Sequence, residues 1–406
     1  MGILDFYKEI GVKQLINVLG PCTALSGALM EPEVTEAMRM SGEEAARIDQ
    51  LQGAAGRVIS EMTGSESAFV TAGSAAALLL STAACLTGLD IDRMDKLPDT
   101  TGMPNEIIIA RDQRNSYDHA IRAAGAKLVE VGINETIYMQ SRRVTEARDY
   151  EAAITNNTAA IAFFYLPGTA SLFPQVIEIA KKHNIPLLVD AADQTLPVEN
   201  MHKIVSMGAD LVAFSGGKAI GGPKSSGILC GRRDLIASAA LQNLDLSNFT
   251  YELFDPPPSL ISREKIEGMP LNGIGRGQQV GREEIVGLIT ALRLHTKERC
   301  IEKSLKGKVL LERIASQLKD LPGLEFKIHP GETEENSPVL HIKLNVAAGG
   351  QTATDVYNKL ISGNPEIYVD YALLLQQTLV INPFNLNEQR TDIVARRLHE
   401  VLSSHS

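Results

Sequence analysis

Between about residue 67 and residue 231, short apolar runs alternate with helical patterns. The runs are Ser67–Ala72 (SAFVTA), Glu106–Ala110 (EIIIA), Lys127–Val131 (KLVEV), Ala160–Tyr165 (AIAFFY), the stretch leading to Asp190, and Leu211–Ser215 (LVAFS). Each is strand-length and apolar. Helical patterns over Ala76–Leu86, Tyr117–Ala124, Arg148–Asn156 and Pro174–His183 separate them. Strands joined through helices build a mainly parallel sheet flanked by helices, an α/β fold. In such sheets ligands bind outside the carboxyl ends of the strands.

The residues after two of these runs carry the chemistry. Leu211–Gly231 reads LVAFSGGKAIGGPKSSGILCG. A core strand ends at Ser215, a glycine pair follows, and then Lys218. An unpaired ammonium is costly to bury, and a desolvated lysine amine condenses with aldehydes. The alternative is a turn lysine pointing into water. Upstream, NIPLLVDAADQT delivers Asp190 at the end of another strand. Pyridoxal 5'-phosphate acts as an electron sink when a carboxylate keeps its pyridine nitrogen protonated and a lysine holds its aldehyde. Asp190 and Lys218 supply those two groups, although an acid there also caps or turns the chain.

A third part follows the first run. Gly73-Ser74-Ala75 joins a strand to a nearly all-apolar helix, and backbone amides at such a junction bind phosphate. Alternatively, Ser74 is an ordinary N-cap. After Ala110 come Gln113, Arg114, Tyr117 and His119, each a candidate to cover the cofactor ring. Gln113 lies nearest the strand end, and His119 reads as structural. Arg276, in the glycine-rich turn Asn272–Gln279, is a solvated residue or a phosphate ligand in a neighbouring subunit.

The domain reading is a helix and extended arm over 1–30, a large α/β domain over 31–280 and a small α+β domain over 281–406. Met1–Val12 reads as an amphipathic helix, Asp90–Pro104 as a polar loop and Ala237–Ser262 as irregular. Val280–Leu318 reads as a long helical segment with a break near Gly307. The C-terminal domain is expected to hold strands at Leu324–Ile328, Val339–Leu344, Ile367–Val369 and Thr378–Ile381, with helices at Ala353–Ile361 and Glu388–Leu402.

Bulk properties narrow the function. With 44% hydrophobic and 22% charged residues, the 406-residue chain has the balance of a globular enzyme. A net charge of −10 advertises no surface for nucleic acid. Cys22, Cys85, Cys230 and Cys300 form no metal-ligand spacing; they read as reduced thiols of a cytoplasmic protein, with no signal peptide in view. No apolar run is long enough to span a bilayer. The phosphate-loop lysine motif and an early G-x-G-x-x-G are both missing, which disfavours a nucleotide-binding module.

The segment SGGKAIGGPKSSG closely resembles the lysine segment of the selenocysteine synthase-like group of fold-type I pyridoxal phosphate enzymes. INVLGPCTALSGALM, the block LQGAAGRVISEMTGSESAFVTAGSAAALLLSTAAC, RNSYDHAIRAAGAKLVEVG, VDAADQ and NGIGRGQQVGREEIVGL extend the resemblance over roughly residues 15 to 290. It is strongest to the branch of D-glucosaminate-6-phosphate ammonia-lyase and its relatives. The resemblance implies a fold-type I architecture, an internal aldimine at Lys218, Asp190 on the pyridine nitrogen, and phosphate contacts from Gly73, Ser74 and Ala75. It further implies Ser215 beside the lysine and a homodimer or larger homo-oligomer, with Arg276 reaching across. Asp193, Lys224 and Gln113 depart from the group's pattern; Asp193 and Gln113 are kept as cofactor-binding candidates. The chain begins almost directly with the arm, where selenocysteine synthase carries an extra tRNA-binding region. With the negative charge, that argues against an aminoacyl-tRNA substrate.

The expected activity is a lyase acting on a small amino acid, a D-amino acid or an amino-sugar acid being included. Lys218 removes the α-proton, and β-elimination yields a keto acid and ammonia. Replacement of the selenocysteine synthase type, racemisation and aldol cleavage start from the same linkage and stand as alternatives. A non-catalytic cofactor- or nucleotide-binding module is the alternative from another class.

Overall fold

A computed structural model describes residues 2–132, 145–346 and 351–403. Its strands, in chain order, are β1 (Leu15–Val18), β2 (Ser67–Thr71), β3 (Glu106–Ala110), β4 (Lys127–Val131), β5 (Thr158–Phe164), β6 (Leu187–Asp190), β7 (Leu211–Ser215), β8 (Gly227–Gly231), β9 (Leu324–His329), β10 (Val339–Leu344), β11 (Glu366–Val369) and β12 (Thr378–Ile381). The chain divides into two compact units: Met30–Arg293, and Met1–Leu29 together with Leu294–Ser406.

The first unit is built on a seven-stranded sheet of order β2-β8-β7-β6-β5-β3-β4. β4, β3, β5, β6 and β7 pair in parallel. β8 runs antiparallel to both β7 and β2. The reason is local: residues 216–226 contain no helix, and without a crossover the chain can only return alongside β7 in the opposite sense.

The period-2 alternation of each strand sorts its side chains onto two faces. Phe69, Ile107, Ile109, Ala160, Ala162, Leu188, Ala213 and Leu229 join one core cluster with the helices Ser74–Thr87 and Arg233–Asn243. The intervening Val70, Ile108, Ile161, Phe163, Val189, Val212 and Phe214 are also fully buried, as sheets covered on both faces require.

Two loop expectations are corrected here. The polar stretch after residue 90 contains a helix, Ile91–Lys96, whose N-cap Asp90 accepts from the Arg93 amide at 3.1 Å. Residues 233–243, those from 237 on assigned above to an irregular region, form a helix; it is buried on every side from Leu235 to Asn243, polar residues included, so no amphipathic period announces it.

In the second unit, β1 of the arm pairs in parallel with β11, and β9, β10 and β12 form an antiparallel sheet. Residues 1–29 therefore group with the C-terminal segment, and the division falls after Arg293 rather than at residue 280. The amino-terminal helix spans Ile3–Glu9 and buries none of its residues. The long helical segment breaks at His295–Thr296, between helices Arg282–Leu294 and Lys297–Leu318, with Thr296 capping the second. Gly307 lies inside that second helix. It is a close-approach glycine: a Cβ there would stand 2.9 Å from Pro383 Cγ.

Candidate active site

Sheet register decides which residues meet. Gly227 at the start of β8 is paired with Thr71 at the end of β2 and with Ser215 at the end of β7. Asp190 is paired with Ala213 of β7 on one side and Phe164 of β5 on the other. The Gln113 side chain reaches the same edge, its Oε1 accepting from the Phe164 amide at 2.8 Å. Residues spread from 71 to 227 thus share one end of one sheet, the carboxyl end of its parallel strands.

The turn at Gly73 has φ +86° and ψ 168°, a region open essentially to glycine alone. This conformation opens the helix Ser74–Thr87 directly after β2. Thr71 fixes it, its Oγ1 donating to the Gly73 carbonyl at 2.9 Å. A Cβ on Gly73 would meet no atom within 4 Å, so the space beside the turn is open. A Cβ on Gly227 would lie 2.4 Å from the Gly73 carbonyl carbon. Only glycine at 227 lets β8 pass this close, which brings the phosphate-type turn beside Ser215.

Lys218 sits on a tightly folded loop. A side chain on Gly216 would strike Ser226 Oγ at 2.2 Å, and one on Gly217 would strike Lys224 Cα at 2.6 Å. Ser226 donates to the Pro223 carbonyl at 2.6 Å, and Gly221 N–H to the Lys218 carbonyl at 2.9 Å. Ser226 and Gly227 shape this loop and its approach to the Gly73 turn; nothing in the apolar run marks them out, because what they allow is a close approach between distant segments. Lys218 is only partly buried, with its Nζ 3.2 Å from Asp193 Oδ1. Lys224 points to solvent.

Asp190 Oδ1 accepts from the Ala192 amide at 2.9 Å. Among the described residues its other oxygen has no hydrogen-bond donor. Burial pushes its carboxyl above the usual range, outweighing the Ala192 amide and the nearby Lys218 charge, which both lower it. Gln113 is buried, and among the described residues its Nε2 has no acceptor.

The other ring-cover candidates are engaged or exposed. Arg114 pairs with Asp118 and Glu130, while Tyr117 and His119 face solvent. Arg276 pairs with Asp245 rather than with any group around Lys218.

These features fit pyridoxal phosphate: an acid with one oxygen free for a pyridinium N–H, an amine on the loop after the neighbouring strand, and an open glycine turn at a helix start for a phosphate. Among the described residues no cluster of three or more His, Cys, Asp or Glu is placed to hold a metal ion. No helix of these residues is long and apolar enough to cross a membrane.

The family model described as "SelA: L-seryl-tRNA selenium transferase" matches residues 106–247. A 5'-C-glycyluridine monooxygenase-decarboxylase of a Streptomyces species is 30% identical over 98% of this chain and 92% of its own. The D-glucosaminate-6-phosphate ammonia lyase of Salmonella typhimurium is 27% identical over 98% of both chains. A solved structure of D-glucosaminate-6-phosphate ammonia-lyase superposes with a TM-score of 0.80 at 26% identity, covering 98% of both chains. The chain belongs to the selenocysteine synthase-like family of fold-type I pyridoxal phosphate-dependent enzymes.

Proposed function

We propose that the protein is a pyridoxal phosphate-dependent lyase that removes ammonia from a small amino acid, with D-amino acids and amino-sugar acids in its substrate range. The observation that carries this reading is the shared sheet edge on which Asp190, Lys218 and the Gly73 turn meet. When bound, the cofactor supplies an electron sink for the bonds at the substrate's α-carbon. Lys218 would hold its aldehyde carbon. Asp190 binds the ring nitrogen and keeps a proton there; its free oxygen and raised pKa suit it to sharing one. The amides of Ser74 and Ala75, with Gly73 and Ser215 beside them, would hold the phosphate, and Gln113 Nε2 would be free to donate to the cofactor. The Lys218 amine would also be the base that takes the proton from the substrate α-carbon. Loss of a β-substituent would leave an enamine, which tautomerises to an imine and takes up one water to give a keto acid and ammonia.

The ammonia lyase that this chain resembles end to end supports elimination. The equally extended likeness to a monooxygenase-decarboxylase favours a second reading, cleavage of the α-carboxylate bond by the same groups. Both use small molecules, and the acidic chain suits neither nucleic acid nor membrane. The reading includes a cytoplasmic homodimer or larger assembly, in which Arg276 serves a neighbouring site. The free cysteines agree with a reducing compartment.

The test is covalent. Pyridoxal phosphate added to the purified protein and reduced with borohydride should be found on Lys218, and Lys218→Ala should take up none. A screen of D- and L-amino acids should then release ammonia and a keto acid. Carbon dioxide instead would favour decarboxylation, and no capture at Lys218 would refute both.

A further inference from the structure

Two carboxylates flank one amine at this site, and the amine is not shared evenly. Asp190 is near enough to feel the Lys218 charge, yet the short contact, 3.2 Å, is with Asp193. The two differ in setting: the Asp193 side chain is 57% exposed and that of Lys218 24%, so Asp193 lies on the solvent side of the lysine.

The contact is built by the backbone. Ala191 N–H donates to the Ala213 carbonyl at 2.9 Å, and Ser215 N–H to the Ala192 carbonyl at 3.2 Å. These bonds stitch the turn after β6 to the end of β7. Asp193 is one residue beyond the first stitched turn, and Lys218 three residues beyond the second. The Ala192 amide and the Gln194 N–H to Ala191 carbonyl bond, 2.9 Å each, close the Asp190–Gln194 turn. The packed glycines 216 and 217 close the lysine loop. Neither side chain is carried on a segment free to drift.

Resting on the cofactor reading above, we propose that Asp193 is a positioning residue for Lys218. Its carboxylate holds the lysine amine at the mouth of the site whenever that amine is not linked to the cofactor. A long side chain released by an entering substrate amine would otherwise sample many rotamers. Asp193 gives it one place, on the solvent side, while the second oxygen of Asp190 stays open for the ring nitrogen.

The test uses the full-length apoprotein and a water-soluble amine-acylating reagent, with peptide mass spectrometry reading Lys218 against solvent-facing Lys224 in the same sample. Asp193→Asn should speed acylation of Lys218 by about two- to fivefold relative to Lys224, the range expected of a partly exposed ion pair. Asp193→Glu should return it toward the wild-type ratio. An unchanged ratio in Asp193→Asn, or a rise shared by both lysines, would overturn the assignment. Because no cofactor is present, this result is independent of borohydride capture at Lys218, which tests the cofactor reading.

Discussion

Gly73→Ala separates the cofactor reading from fold stability. The backbone at 73, φ +86° and ψ 168°, costs an alanine about 1–3 kcal/mol. No steric term adds to this, since the new Cβ meets nothing within 4 Å. For a unit of this size the apoprotein Tm should fall by roughly 2–10 °C, and the protein should remain folded. The turn relieves its strain by rotating the peptides at the start of the Ser74–Thr87 helix, so the amides there change direction. Each charge-assisted hydrogen bond lost is worth about 1.5–3 kcal/mol, so losing one weakens phosphate binding by about 10- to 100-fold. The assay compares uptake of pyridoxal phosphate and of pyridoxal, which lacks the phosphate, alongside thermal unfolding of the apoprotein. The phosphate ester should lose affinity while pyridoxal, weak to begin with, changes little. Equal losses for both, or undiminished uptake of the phosphate ester, would show that Gly73 does not shape a phosphate site.

Other perturbations address single links of the argument. Asp190 has a folded-state pKa raised by burial, so its ionisation costs stability as pH rises through that value; Asp190→Asn should raise the apoprotein Tm at neutral pH while abolishing productive use of the cofactor, and a lower Tm would contradict the burial argument. At Asp118, burial raises the carboxyl pKa, but the Arg114 hydrogen bond and charge, with Arg122, hold it below the usual range. Its stabilisation is present above the unfolded value near about 3.9 and is lost as pH falls through the folded one. Asp118→Asn should therefore cost about 1–3 kcal/mol at neutral pH, with the difference from wild type closing in acid denaturation below about pH 4. Gly307→Ala gains about 1 kcal/mol of helix propensity, yet its Cβ meets Pro383 at 2.9 Å. Overpacking of about 1–3 kcal/mol should win, and urea unfolding should show net destabilisation.

The alternation of apolar runs and helical patterns was enough to read the sheet, because strand period and helix period are local properties of the chain. Lys218, Asp190 and Gly73 were legible for a related reason: each breaks its local pattern, a charge or a glycine where a core strand ends. The helix over 233–243 was hidden because it is buried all round, and the break at His295–Thr296 was mistaken for Gly307 because a glycine in a helix looks like a stop until the proline packed on it is seen. What only tertiary structure decided was proximity. That Gly227 lies between Thr71 and Ser215, that Gln113 ends against Phe164, and that Lys218 leans on Asp193 rather than Asp190 all depend on register between strands far apart in sequence. Periodicity tells a residue which face it belongs to, whereas backbone pairing across the sheet settles its neighbours.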